Sequence, residues 1–231
     1  MSIVARRGAV AVAVLIASML ASVVAPLVAS AIAPTSAIAP AAVSDPQSRA
    51  ELHDSMRKLW LDHATWTRQY IISVASGLPD KDATTQRLLQ NQTDIGAVMA
   101  RYYGDEVGAK LTGLLKEHIL TAGELIAAAK SGNASKTDSA NTKWHANADE
   151  IAEFLHHANP NGWATGRLRT VMYTHCDQTF AELEHRLNKD YAADIQDHDT
   201  IEQHLLMMAD MLTDGIVAQF PGRFGIAKKG G

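Results

Sequence analysis

The sequence predicts an all-α protein, an antiparallel bundle of about six helices of which four to six are long. Three observations predict it. Apolar residues recur at three- and four-residue spacing from Ser48 onward, and no stretch alternates with period two. Only 6% of the residues are aromatic, while alanine is abundant, which favours helix over sheet. Gly, Pro and Asn clusters then divide the periodic stretches into segments of helical length.

Residues 1–31 read as an export signal or a membrane anchor. Arg6 and Arg7 precede an uncharged apolar run from Gly8 to Ser30, and Ala29-Ser30-Ala31 is the expected cleavage site. Retained, residues 8–30 would tether the chain to a membrane. Either way the domain is expected outside the cytoplasm, periplasmic or extracytoplasmic, because the arginines stay inside. Arg6-Arg7 also begins a twin-arginine pattern, which the following residues fit poorly. Residues 32–47 carry Pro34, Pro40 and Pro46 among small residues, as a linker does. The folded domain is placed at 48–220, and 221–231 is read as a tail.

Ser48 to Ser76 is the first helix, stopped at Gly77-Leu78-Pro79. Asp82 to Tyr103 is the second, ended by Gly104, with Asp105 capping a third that runs to about Lys130. A polar stretch rich in Ser, Asn, Thr and Lys is read as a loop, so the fourth helix begins near Thr142 and stops at Asn159-Pro160. The fifth covers about Trp163 to Leu187, and the sixth about Ala192 to Gln219.

Composition narrows the function. Of 21 Lys and Arg, Arg6 and Arg7 lie in the N-terminal segment, leaving 19 against 25 Asp and Glu from residue 8 onward, a net charge of about −6. With no basic patch, a nucleic-acid partner is disfavoured. Cys176 is the single cysteine, so no intrachain disulfide, cysteine zinc finger or c-type haem attachment exists. No nucleophile elbow, phosphate loop or dinucleotide fingerprint occurs. Asn91-Gln92-Thr93 and Asn133-Ala134-Ser135 match the glycosylation triplet, a frequent chance match.

The informative pattern lies on the helical wheels. His63, His118, His175 and His204 each fall inside the apolar stripe of their helix, as does Gln92, and all five lie near helix midpoints. In an antiparallel bundle midpoints share a level, so four imidazoles and one amide are expected in one mid-core layer. Four unpaired buried imidazoles would cost about 4–12 kcal/mol, comparable with a domain's whole stability. Something must satisfy them. The leading expectation is a transition-metal ion, copper, zinc or iron, held by these histidines for storage, delivery or sensing. Four ligands would close the coordination sphere; three would leave an open position.

Around the layer, Asp62, Glu117, Asp177 and Gln203 lie at helix seams, where with Gln92 they are expected to orient imidazoles. Met172 and Met208 lie one turn from His175 and His204 and are candidate soft ligands that would favour copper. The alternatives are a b-type haem lined by Trp60, Trp66, Met99 and Tyr103, and a structural envelope protein whose histidines bond only to each other.

Other matches are set aside. Glu153–His156 and Glu182–His185 have the Glu-x-x-His spacing of di-iron bundles, but the wheels turn all of these outward except Glu182. His53, His145, His157 and His198 are read as surface or loop residues. A faint similarity of residues 87–124 to 167–210 sets His118 opposite His204, as though two three-helix halves shared one site.

Overall fold

The computed structural model describes residues 48–226. The expected signal or anchor at 1–31, the linker at 32–47 and the last five tail residues lie outside the described residues. The described chain forms α1 (Arg49–Ser76), α2 (Lys81–Tyr103), α3 (Asp105–Lys130), α4 (Ala134–Ala158), α5 (Thr165–Leu187) and α6 (Tyr191–Gln219). None of these helices is long and apolar enough to cross a membrane.

Helix ends follow the local chemistry. Ser48 caps α1 with a complete capping box to Glu51, and Gly77 closes it in the left-handed region at φ 67°. The start of α4 differs from the sequence expectation: residues 134–141 are two further turns of helix, capped by Asn133, whose side chain accepts from the Lys136 N–H. The stretch is polar because nearly all of it faces water, and Ala140 is its one buried residue. Periodicity fails where a single small side chain marks the inner face. Phe220 and Phe224, at the end of α6 and in a short 3-10 helix over Pro221–Phe224, pack on Tyr102, so the start of the expected tail belongs to the bundle.

Each helix packs on its neighbours in sequence, and α6 packs on α1, which closes a ring. The odd helices α1, α3 and α5 also touch one another across the middle, with α2, α4 and α6 wedged between them. Short connections reverse the chain each time, so the three central helices run parallel. The α2–α3 hairpin is the tightest. A Cβ on Gly96 would lie 1.9 Å from Thr112 Oγ1, and one on Gly108 would lie 2.6 Å from the Gly96 carbonyl oxygen. Only glycine permits that approach.

The result is three helical hairpins, α1–α2, α3–α4 and α5–α6, around a pseudo-threefold axis. His63, His118 and His175 recur at 55 and 57 residues on the central helices. Asn91, Asn147 and His204 recur at 56 and 57 on the outer ones. This corrects the two-half reading: His118 matches His63 and His175, and His204 matches Asn91 and Asn147. The faint similarity was a shift between hairpins in a threefold arrangement.

Candidate functional site

His63, His118, His175 and His204 are all buried. The first three meet on the axis. Ring centres are 5.4 Å apart for His63 and His175, and 6.1 Å for His118 and His175. His204, from an outer helix, instead donates Nε2–H to the Val171 carbonyl at 2.9 Å.

That bond belongs to a repeated device. Asn91 Nδ2 donates to Leu59 O at 3.0 Å, and Asn147 Nδ2 donates to Leu114 O at 3.3 Å. Each acceptor carbonyl lies four residues before a central histidine: Leu59 before His63, Leu114 before His118, Val171 before His175. Each Asn amide, held by its nitrogen, is left with an oxygen to offer. Asn147 Oδ1 lies 2.8 Å from His118 Nδ1 and can only accept, so Nδ1 carries the ring proton and Nε2 keeps its lone pair. Asn91 Oδ1 accepts from Gln92 Nε2, which also lies against the His63 ring. Gln92 Nε2 has two protons and three neighbours, Leu88 O at 2.9 Å, Asn91 Oδ1 at 3.0 Å and His63 Nδ1 at 3.3 Å. Gln92 Nε2 is thus the group that meets His63 Nδ1, by the longest of its three contacts.

The third hairpin breaks the pattern. Where the others carry Asn, it carries His204, which has no amide oxygen to offer, and His175 Nδ1 is buried without a partner. Gln92 Oε1 is also unpartnered.

Beyond the histidines, toward the C-terminal ends of the central helices, lies a cavity of about 20 Å³. Around it are Thr67, Trp144 and Thr179 as well as His63, His118 and His175. Five atoms of these residues, Thr67 Oγ1, His118 Nε2, Trp144 Nε1, His175 Nδ1 and Thr179 Oγ1, are buried and have no hydrogen-bond partner in the protein, while the surface of the cavity itself is almost wholly apolar. Burial holds the rings neutral. It depresses the His63 pKa to about 4 and that of His118 to about 3, and it lowers His175 well below the usual range. Neutral imidazole is the ligand form.

On the opposite side of the layer is a second cavity of about 20 Å³, walled entirely by apolar side chains. Met172 and Met208 line this one, with Met56 and Met99, and neither lines the cavity of the histidines. Trp60 also borders it and meets His63 edge-on at 5.7 Å.

The seam residues are placed elsewhere. Asp62 pairs with Lys58 and Arg87, and Asp177, largely exposed, pairs with His145. Glu117 and Gln203 are exposed. The groups on the outer helices that repeat this device are Asn91 and Asn147, of which Asn147 bonds a central ring, and the sequence reading passed over both. Their spacing of 28 and 29 residues after His63 and His118 was the available signal. Asn91 is fully buried, so its triplet offers no glycosylation site.

One further placement differs from expectation, and the inward reading of Glu182 holds. His198 is half-buried against the bundle, its side chain 15% exposed between Glu182 and Glu202. Glu182 does face inward, where Arg68 bridges it at 2.6 Å and Asp194 at 2.8 Å, with Arg186 on the other Asp194 oxygen.

The class of protein is thereby defined: a six-helix bundle of three hairpins with a buried three-histidine core. No family model, curated protein or solved structure matches the chain.

Proposed function

We propose that the protein is an exported helical bundle that binds one transition-metal ion on its axis through His63, His118 and His175, for storage, delivery or sensing. The observation that carries this is His118. Its Nδ1–H is fixed by Asn147, and its Nε2 lone pair is buried without a partner. A ligating histidine is held in this way, one nitrogen on the metal and the other donating to an oxygen.

Ring spacing agrees. With metal–nitrogen bonds of about 2.0–2.1 Å, two imidazoles on one ion have ring centres about 5–6.5 Å apart between tetrahedral and linear angles. The spacings of 5.4 and 6.1 Å fall within that span. Among the described residues no three His, Cys, Asp or Glu are grouped to hold an ion as they stand. Binding therefore includes rotation of the His63 and His175 rings toward His118, a soft motion about χ2. His204 is a fourth ligand only if it releases Val171 O. A nitrogen-only set suits zinc, copper(II) or iron, and the thioethers that would single out copper lie in the other cavity. A haem would require the central helices to part.

Metal analysis by inductively coupled plasma mass spectrometry, on untagged protein purified without chelators, tests the reading. The expected result is about one equivalent of a single transition metal, as one mononuclear site requires. His118→Ala is expected to remove it and to lower Tm. A wild-type protein that neither carries nor takes up any such metal overturns the proposal.

A further inference from the structure

We propose that the apolar cavity on the pseudo-threefold axis, walled in part by Met56, Met99, Met172 and Met208, binds one molecule of an apolar gas the size of dioxygen. The inference stands apart from the metal reading, because this cavity needs no ion and lies across the histidine layer from the other one. Its position follows from the threefold arrangement. Seven and three residues before the central histidines come two rings of side chains, Met56, Leu111 and Leu168, then Trp60, Leu115 and Met172, and all six line it. Each outer helix adds two residues at matching positions. Side chains that approach one axis from three sides meet imperfectly at its centre, and the gap left here is about 20 Å³.

The wall sets the chemistry of the occupant. Every residue around the cavity is itself buried, and the surface it presents is almost wholly apolar. A buried water needs about two to four polar partners, so water is excluded. One water would fill roughly 10–15 Å³, so the space suits a molecule slightly longer than water and nothing larger. An apolar gas gains there the dispersion contacts that the lining atoms otherwise lack. Entry requires the wall to give, and methionine supplies the give. Four of the six methionines among the described residues line this one cavity, each at most 4% exposed. The α3–α4 hairpin fills the equivalent positions with Leu111, Leu155, Leu115 and Ile151, so packing alone does not call for methionine. Unbranched, polarizable thioether chains move aside for a small guest and close around it.

Dioxygen is paramagnetic and speeds the nuclear relaxation of methyl groups that it touches, which supplies the test. Metal-free protein carrying carbon-13 in its Met and Leu methyls is compared under pressurised dioxygen and under nitrogen. The methyls of Met56, Met99, Met172 and Met208 are expected to relax several-fold faster under dioxygen. Leu52 and Leu205, both 0% exposed and lining neither cavity, are expected to change little. Val171→Ile and Leu115→Phe each add volume at the wall and are expected to remove most of the effect with the fold retained. An equal effect at Leu52 and Leu205 overturns the proposal, since gas would then permeate the core without a site. An undiminished effect in both filled variants overturns it as well. So do nuclear Overhauser contacts between water and the four Met methyls in the absence of gas, which would mark a hydrated cavity.

Discussion

Two polar clusters lie inside the same bundle, and they differ in whether their groups are satisfied. Arg68, Glu182, Asp194 and Arg186 are charged and join α1, α5 and α6 by short bonds. Burial alone would lower the Arg68 pKa, but the two carboxylates more than offset it and the pKa is raised. Burial holds His63, His118 and His175 neutral, and His118 Nε2, His175 Nδ1 and Gln92 Oε1 lack partners. A satisfied cluster pins helices together and needs nothing further. An unsatisfied one leaves polar atoms in the core without partners.

Breaking the first cluster should have the largest effect. Arg68→Leu leaves Glu182 and Asp194 buried without their bridging cation, and urea unfolding should show a loss of about 3–5 kcal/mol. A loss below about 1 kcal/mol would mean that water reaches those carboxylates.

Acid should act on the other cluster. In the unfolded chain these imidazoles titrate near pH 6.5. In the fold His63 and His118 titrate at about 4 and about 3. Between those values the unfolded chain binds protons that the native core refuses, so stability falls as pH drops below 6.5 and has no such dependence above it. Each histidine adds up to about 1.4 kcal/mol per pH unit to the slope. His118→Leu should reduce the slope of stability against pH near 5.5; an unchanged slope would show that His118 is protonated in the fold.

A smaller effect should follow from disturbing the support of one ring. Asn147→Ala removes the oxygen that fixes His118, and metal affinity should fall about 10–100-fold with the fold retained. Equal affinity in a competition assay against a chromogenic chelator would show that Asn147 is only structural. The smallest effect should come from His175→Leu in metal-free protein. Its unpaired Nδ1 contributes no hydrogen bond, so stability should stay within about 1 kcal/mol of wild type. The contrast with Arg68→Leu is the sharpest form of the comparison.

Much of the bundle was legible in the sequence, because helix stops and apolar periodicity are local. Gly77, Gly104 and Asn159 end helices where the wheels predicted. The first two turns of α4 were hidden because they bury almost nothing. The histidine layer was legible as well, since residues on the buried stripe at helix midpoints share a level. The members of that layer were not equally placed, however. His204 has the same wheel position and depth as the others, yet it sits on an outer helix and bonds to a backbone carbonyl.

By itself the sequence determined the class of fold, the burial of His63, His118, His175 and His204, and the absence of cysteine chemistry beyond one buried thiol. Tertiary structure alone decided that three histidines meet on an axis while the fourth bonds a backbone carbonyl, that Asn147 fixes one ring and Gln92 meets another, and that Met172 and Met208 border a separate apolar cavity. The reason is physical. A wheel reports which side of a helix is buried, through local spacing; which helices stand at the centre of the ring depends on how six such faces close on one another, a property of the whole chain.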